Sequence, residues 1–296
     1  MNKIPVGQTI RQAYAFTFGE IGTVIGLTWI PTLISTVAIY FLLRTYATWI
    51  ESLESGTPPA DVQALLPLPL IVLILFLTGM IGVALTRQVL GLRQGPAIAH
   101  VALGREELRV FAGFVGVYLL ATLFTFVFLL AVSGVAALAA SNPAMGPLAG
   151  AITGLAGLIG IFLVVFAIVR LGYLLIPAVV VDGQFGLTRS WQLTNGNFWR
   201  IVAVLLATTL PPILVSNIAA TIIIGPMPPP PAAAPADLAA AAHLWAGQVR
   251  ALLPHLPALM GINLVLSPLS SSLLFTAAAF AYRVLSGKAI VKAQDA

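Results

Sequence analysis

Residues 185–200 read FGLTRSWQLTNGNFWR. An apolar run, LLIPAVVV at 174–181, precedes them, and another, IVAVLLATTL at 201–210, follows. This polar, aromatic island between two hydrocarbon-like stretches decides the fold: the flanks belong in lipid, and the island sits where a bilayer meets water. Locally, Arg189, Ser190, Trp191 and Gln192 read as one short helix. Asn195-Gly196 is a turn dipeptide, and Asn197 is placed to cap a helix beginning at Phe198. Trp199 and Arg200 then fall at headgroup level, which suits an indole and a snorkelling guanidinium.

Composition extends this reading to the whole chain. Of its 296 residues 59% are hydrophobic and 8% charged, whereas an ordinary soluble domain has about a quarter charged. So little polar surface cannot cover so large an apolar interior, so lipid must serve as solvent. The net charge of +5 is spread singly at the ends of apolar runs, which fits membrane orientation and not nucleic acid. Cysteine is absent, which removes disulfides, thiolate metal sites and cysteine nucleophiles. No cleavable leader is evident, and the first apolar run is expected to remain as an anchor.

Six spans are expected, at about 21–43, 68–86, 110–140, 148–169, 201–224 and 257–282. Between them lie a polar loop from Arg44 to Pro67, a connection from Gln88 to Arg109, and a short turn from Ser141 to Pro147. The run around Pro177 reads as interfacial or re-entrant, and Gly225 to Pro235 as a stiff linker. Ile10, Tyr14 and Phe18 recur at helical spacing, as do Leu238, Ala241, Trp245, Val249 and Leu252, so both segments read as surface helices. With this count every Lys and Arg falls on one side except Arg44 and Arg250. Basic loops stay inside, so both termini are expected in the cytoplasm, and the setting is a bacterial inner membrane.

The chain thus reads as one all-α domain over 1–296, a six-span transmembrane helical bundle with cytoplasmic interfacial helices. Three two-helix units, at 1–94, 95–183 and 184–290, each end on an arginine at the inner face: Arg87, Arg170 and Arg283. IRQAYAFTFGEI at 10–21 lies over LTRSWQLTNGNF at 187–198, pairing Tyr14 with Trp191, Thr17 with Thr194 and Gly19 with Gly196. Shared apolar composition is the competing account of that similarity.

Arg170, Arg189 and Arg200, with Trp191, Trp199 and the amides of Asn195 and Asn197, form the candidate site. Guanidinium groups take phosphate through paired hydrogen bonds, so an inner-leaflet lipid is the expected ligand. Asp182 could instead neutralise one of the arginines. A helix, a turn and an aromatic-plus-arginine anchor account for most of these residues with no ligand at all.

RSWQLTNGNFWR, after an apolar segment carrying Pro177 and Asp182, resembles bacterial multi-span proteins related to the membrane domain of glycerophosphoryl diester phosphodiesterases. The resemblance covers mainly residues 170–206. It implies a membrane module, because in such two-part proteins the chemistry belongs to a separate soluble barrel that has no counterpart here.

No nucleophilic triad, phosphate-binding loop, paired catalytic carboxylates or metal-ligand spacing can be assembled from the remaining residues. An enzyme is not expected, nor a cofactor, metal or nucleic-acid partner. Gly146, Gly150, Gly154, Gly157 and Gly160 read as a helix-packing stripe. Pro211-Pro212 and Pro268, with Asn263 and nearby serines, raise a second reading, a small transporter with its site at broken helices. An accessory subunit of a larger membrane complex, with a protein partner in the membrane, is the third.

Overall fold

The computed structural model describes residues 2–56, 65–93, 102–141, 146–225 and 238–287. Among these the chain is helical, with no strand, and six stretches are long and apolar enough to cross a membrane. It is a six-span helical bundle. The helices are α1 (Val6–Gly19), α2 (Ile21–Ser55), α3 (Pro67–Val89), α4 (Arg105–Ser141) and α5 (Gly146–Gly172). After them come α6 (Leu175–Asp182), α7 (Gly186–Leu193), α8 (Phe198–Ile224), α9 (Leu238–Leu252) and α10 (Leu256–Ser286). Three long pairs pack side by side, α2 with α3, α4 with α5, and α8 with α10. Helix α10 also closes against α2 and α3.

Several boundaries differ from expectation, each for a local reason. Helix α2 runs on through the expected loop from Arg44, because nothing in that stretch breaks a helix before Gly56. Gly56 takes φ 69° and ends the helix with its N–H on the Ser52 carbonyl, the left-handed close that glycine permits. The expected loop's Asp61 lies outside the described residues, as do His100, the turn at 142–145 and the linker from 226 onward. Helix α4 begins at Arg105, with Glu106 and Glu107 in its first turn, where the helix dipole favours acids. Arg87 at the end of α3 donates Nε and Nη2 to the two oxygens of Glu106 at 3.0 and 2.8 Å, tying that connection shut.

The segment around Pro177, read as interfacial or re-entrant, is covered by protein. It is the short helix α6, and Leu174, Leu175, Ile176, Ala178 and Val179 are all buried. Glycines on the long helices make room for it. A Cβ on Gly82 of α3 would collide with Ile176, and one on Gly113 of α4 would lie 2.8 Å from Leu175. A half-helix that is apolar from Leu175 to Val181 is stable here because neighbouring helices cover it.

Helix α1 packs on the bundle through small residues. The stripe it buries is Thr9, Ala13 and Thr17, packed on α8 and α10, whereas Phe18 stays exposed. Small residues let helices approach closely, and the hydroxyl pair Thr17–Ser272, at 2.8 Å, joins α1 to α10. Helix α9 lies along α2 and reaches α10 through a 3₁₀ turn at Leu253–His255.

Burial is concentrated at one end of the bundle. Two apolar cores form there, one built on Ile4, Ala13, Tyr173, Ile201 and Tyr282, the other on Val24, Leu27, Val83, Val110 and Leu175. Toward the other end α4 and α5 extend as a hairpin whose apolar side chains, such as Leu123, Phe126 and Leu158, are exposed. The glycine stripe on α5 is only partly a packing device. Gly160 meets the Phe128 ring, and Gly154 and Gly157 face open space; the side chains at 146 and 150 are outside the description.

The proline-bearing helices are continuous. Helix α8 passes through Pro211-Pro212 and α10 through Pro268 without a break. Asn263 reaches across from α10 to α2, donating Nδ2 to Thr36 Oγ1 at 3.2 Å.

Candidate functional site

Helix α7 is positioned from both of its ends. Gly183, at φ 66°, closes α6, and Arg109 of α4 donates to the Gly183 carbonyl. The chain then turns so sharply that a Cβ on Gly186 would lie 2.7 Å from the Leu175 carbonyl oxygen; glycine is what that approach allows. Ser190 on α7 donates its hydroxyl to the Arg170 carbonyl at 2.9 Å. Helix α7 is thereby docked across the end of α5, and a carbonyl that α5 leaves open is satisfied.

Arg170 is gripped in return. Its Nη2 donates to the Trp191 carbonyl at 2.8 Å and its Nε to Thr194 Oγ1 at 3.3 Å. The guanidinium carbon lies 3.9 Å from the Trp191 ring centroid and 5.5 Å from that of Phe166, a cation–π arrangement. Those contacts use two of the five N–H groups of an arginine, and the rest have no partner among the described residues. Around this cation the rings form one connected surface. Phe166 meets Phe198 at 4.8 Å and Trp191 at 6.1 Å, while Phe162 meets Trp199 at 6.4 Å. Trp199 remains 71% exposed. A half-buried arginine thus lies beside an exposed aromatic surface.

The other candidate residues lie apart from this platform. Arg189 Nε sits 3.3 Å from Asp182 Oδ2, and Tyr282 donates its hydroxyl to the same oxygen at 2.7 Å. Asp182 therefore takes the alternative role expected of it, neutralising Arg189, and it joins α6 and α7 to α10. Asn197 makes no side-chain cap on α8. Its Oδ1 accepts the Ile4 N–H at 3.1 Å and its Nδ2 donates to the Asn2 carbonyl at 3.2 Å. Arg200 Nη1 donates to the Ile4 carbonyl at 3.1 Å. These two side chains strap the N-terminal segment to the start of α8 and have that structural work in common. Asn195 is exposed on the turn, where Gly196 takes φ 71°. So the structure brings together Arg170, Trp191 and, through Phe162 and Phe198, Trp199. It assigns Asp182 with Arg189 to one contact and Asn197 with Arg200 to another.

Phe162, Phe166, Ser190 and Thr194, none of them among the expected site residues, also build the platform. A signal was present: Phe162, Phe166 and Arg170 recur every four residues on α5, one face of a helix.

Compared with known proteins, the chain matches no family model, no curated protein and no solved structure. Function must be argued from this site itself.

Proposed function

We propose that the chain is a non-catalytic integral membrane module that binds an anionic lipid at its cytoplasmic end. The setting proposed is a bacterial inner membrane with both termini inside. One observation carries the reading: Arg170 is held against Trp191 with part of its hydrogen-bonding capacity unused, beside an exposed aromatic surface. A pre-oriented guanidinium loses little freedom when it takes a phosphate through two parallel bonds. The aromatic rings suit the glycerol and upper-chain region next to it. The resemblance of residues 170–206 to the membrane domain of glycerophosphoryl diester phosphodiesterases supports a membrane module, with no ground for the phosphodiester chemistry.

Native mass spectrometry of the protein taken from vesicles of mixed zwitterionic and anionic phospholipid tests this. Retained anionic lipid should fall at least about tenfold in Arg170→Gln, the loss of one charge-assisted pair. Arg170→Lys should recover only part of it, since lysine keeps the charge without the fork. Equal retention in Arg170→Gln and the parent protein would sink the proposal.

A specific observation favours a second reading, an accessory subunit. The far half of the α4–α5 hairpin exposes Leu123, Phe126, Leu129, Leu158 and Ile161. A reproducible extra protein mass in the same experiment would favour it. Transport by the proline-bearing helices draws no comparable support. The cavity beside Pro211 and Pro212, about 150 Å³, is lined by Tyr14, Phe18, Val215 and leucines.

A further inference from the structure

Arg87 and Arg170 use the same edge of the guanidinium group and leave different things behind. Nε and Nη2 carry the N–H groups of its side edge, while Nη1 and Nη2 carry those of its end edge. Arg87 gives its side edge to both oxygens of Glu106, so its charge is answered within the protein. Arg170 gives the same edge to neutral acceptors, Thr194 Oγ1 at 3.3 Å and the Trp191 carbonyl at 2.8 Å. Among the described residues no carboxylate pairs with it. The protein thus fixes how Arg170 points but does not neutralise it, and the end edge stays open.

Thr194 sets that orientation. The residue is fully buried, so its hydroxyl has no room to swing away. The closest carbonyl to that hydroxyl is the one of Ser190, at 2.9 Å, four residues back, where a helical threonine ordinarily donates. With its proton placed there, the oxygen is left to accept from Arg170 Nε. The Trp191 ring lies 3.9 Å from the guanidinium carbon and covers one face, so the plane of the group is set too. An end edge held in one plane matches two unesterified oxygens on one phosphorus. A glycerophospholipid phosphodiester offers that pair, and the neighbouring rings of Phe198 and Trp199 suit the rest of such a molecule.

We infer that Thr194 is the positioning residue of the Arg170 site, holding the guanidinium so that the phosphodiester of a membrane glycerophospholipid docks end-on through Nη1 and Nη2. The inference rests on the headgroup reading above and adds the geometry of binding and the residue that imposes it. Free phosphate carries the same oxygens, so the test separates the two sources.

The whole protein, isotope-labelled at its arginine nitrogens, is placed in phosphatidylglycerol vesicles in phosphate-free buffer, and nitrogen–phosphorus dipolar dephasing is recorded by solid-state NMR. The Arg170 signals are those lost in Arg170→Gln. Both Nη atoms should dephase, with Nε much less affected. Dephasing of Nε as strong as that of Nη2 would mean side-on contact and overturn the inference. So would dephasing that appears only after inorganic phosphate is added. Thr194→Val keeps the shape and removes the acceptor, so anionic lipid retained in native mass spectrometry should fall about three- to tenfold, the effect of one hydrogen bond. Thr194→Ser returns the oxygen and should recover both the retention and the dephasing pattern. Retention unchanged in Thr194→Val, or lost equally in Thr194→Ser, counts against a positioning role. If Thr194→Val does not fold, the dephasing pattern of the parent protein still decides. Full retention in Arg170→Gln sinks the headgroup reading itself, whereas retention that needs Arg170 but not Thr194 sinks this inference alone.

Discussion

The Tyr14 hydroxyl donates at 2.9 Å to the carbonyl of Ala207, the one carbonyl of α8 whose helical partner would be the N–H that Pro211 lacks. Proline in a helix leaves the carbonyl four residues earlier without a donor, and in lipid nothing from solvent can replace it. Helix α1 supplies the missing donor. The proline that could have marked an open, broken helix is instead a docking point for the N-terminal helix.

Removing that hydroxyl should therefore cost more than an ordinary surface hydrogen bond. Tyr14→Phe is expected to lower stability by about 1–3 kcal/mol, the range for a buried acceptor left unsatisfied. Pro211→Ala restores the helical N–H, so the double variant Tyr14→Phe with Pro211→Ala should lose much less than Tyr14→Phe alone. Thermal unfolding of the four proteins in one detergent gives the coupling directly; additive losses would show that the hydroxyl does not serve this carbonyl.

Glycine positions should divide into two classes. Gly186→Ala sets a Cβ 2.7 Å from a backbone oxygen, and backbone cannot swing aside, so a loss of about 1–3 kcal/mol is expected. Gly157→Ala puts its methyl in open space and should be neutral or stabilising by up to about 1 kcal/mol, through the lower flexibility of the unfolded chain. Melting temperatures of the two variants, compared with the parent, check the order.

Release of the N-terminal strap can be followed at a single amide. The Ile4 N–H is buried against Asn197 Oδ1, so Asn197→Ala should raise its hydrogen-exchange rate by at least about tenfold. Exchange in the middle of α8 should stay as it was. Unchanged exchange at Ile4 would mean that packing of the buried Ile4 side chain, and not the amide clamp, holds the segment.

Asp182 joins three helices through one oxygen, meeting Tyr282 and Arg189 together. Asp182→Asn keeps the shape and removes the charge, leaving the half-buried Arg189 without its counter-ion. Truncating one partner of such a pair costs about 1–3 kcal/mol. Arg189→Gln in the same background should recover part of that loss, because the uncompensated charge is then gone. Chemical unfolding curves of the single and double variants measure both steps.

How much was legible in the residues differs between the fold and the site. Hydropathy is a local property that sums along each helix, so six spans and their helical nature follow from runs such as 201–210 and 257–282 alone. The boundary at Ser55 was missed because Gly56 outweighs the polarity of Glu51 and Glu54 as a helix terminator. The burial of helix α6 was not legible because it depends on Gly82 and Gly113, far away on other helices.

At the site, sequence determined which residues could bind an anion or sit at an interface. Tertiary structure alone decided which of them are already engaged. Asn197 and Arg200 hold residues 2–4, Arg189 answers Asp182, and Arg170 lies on Trp191 with donors to spare. The reason is physical: the acceptors that decide this are brought close only by packing. Tyr14 and Ala207 are 193 residues apart, as are Ile4 and Asn197, and Asp182 and Tyr282 are 100 apart. A hydrogen bond is short-ranged and directional, and nothing along the chain announces a partner at that separation.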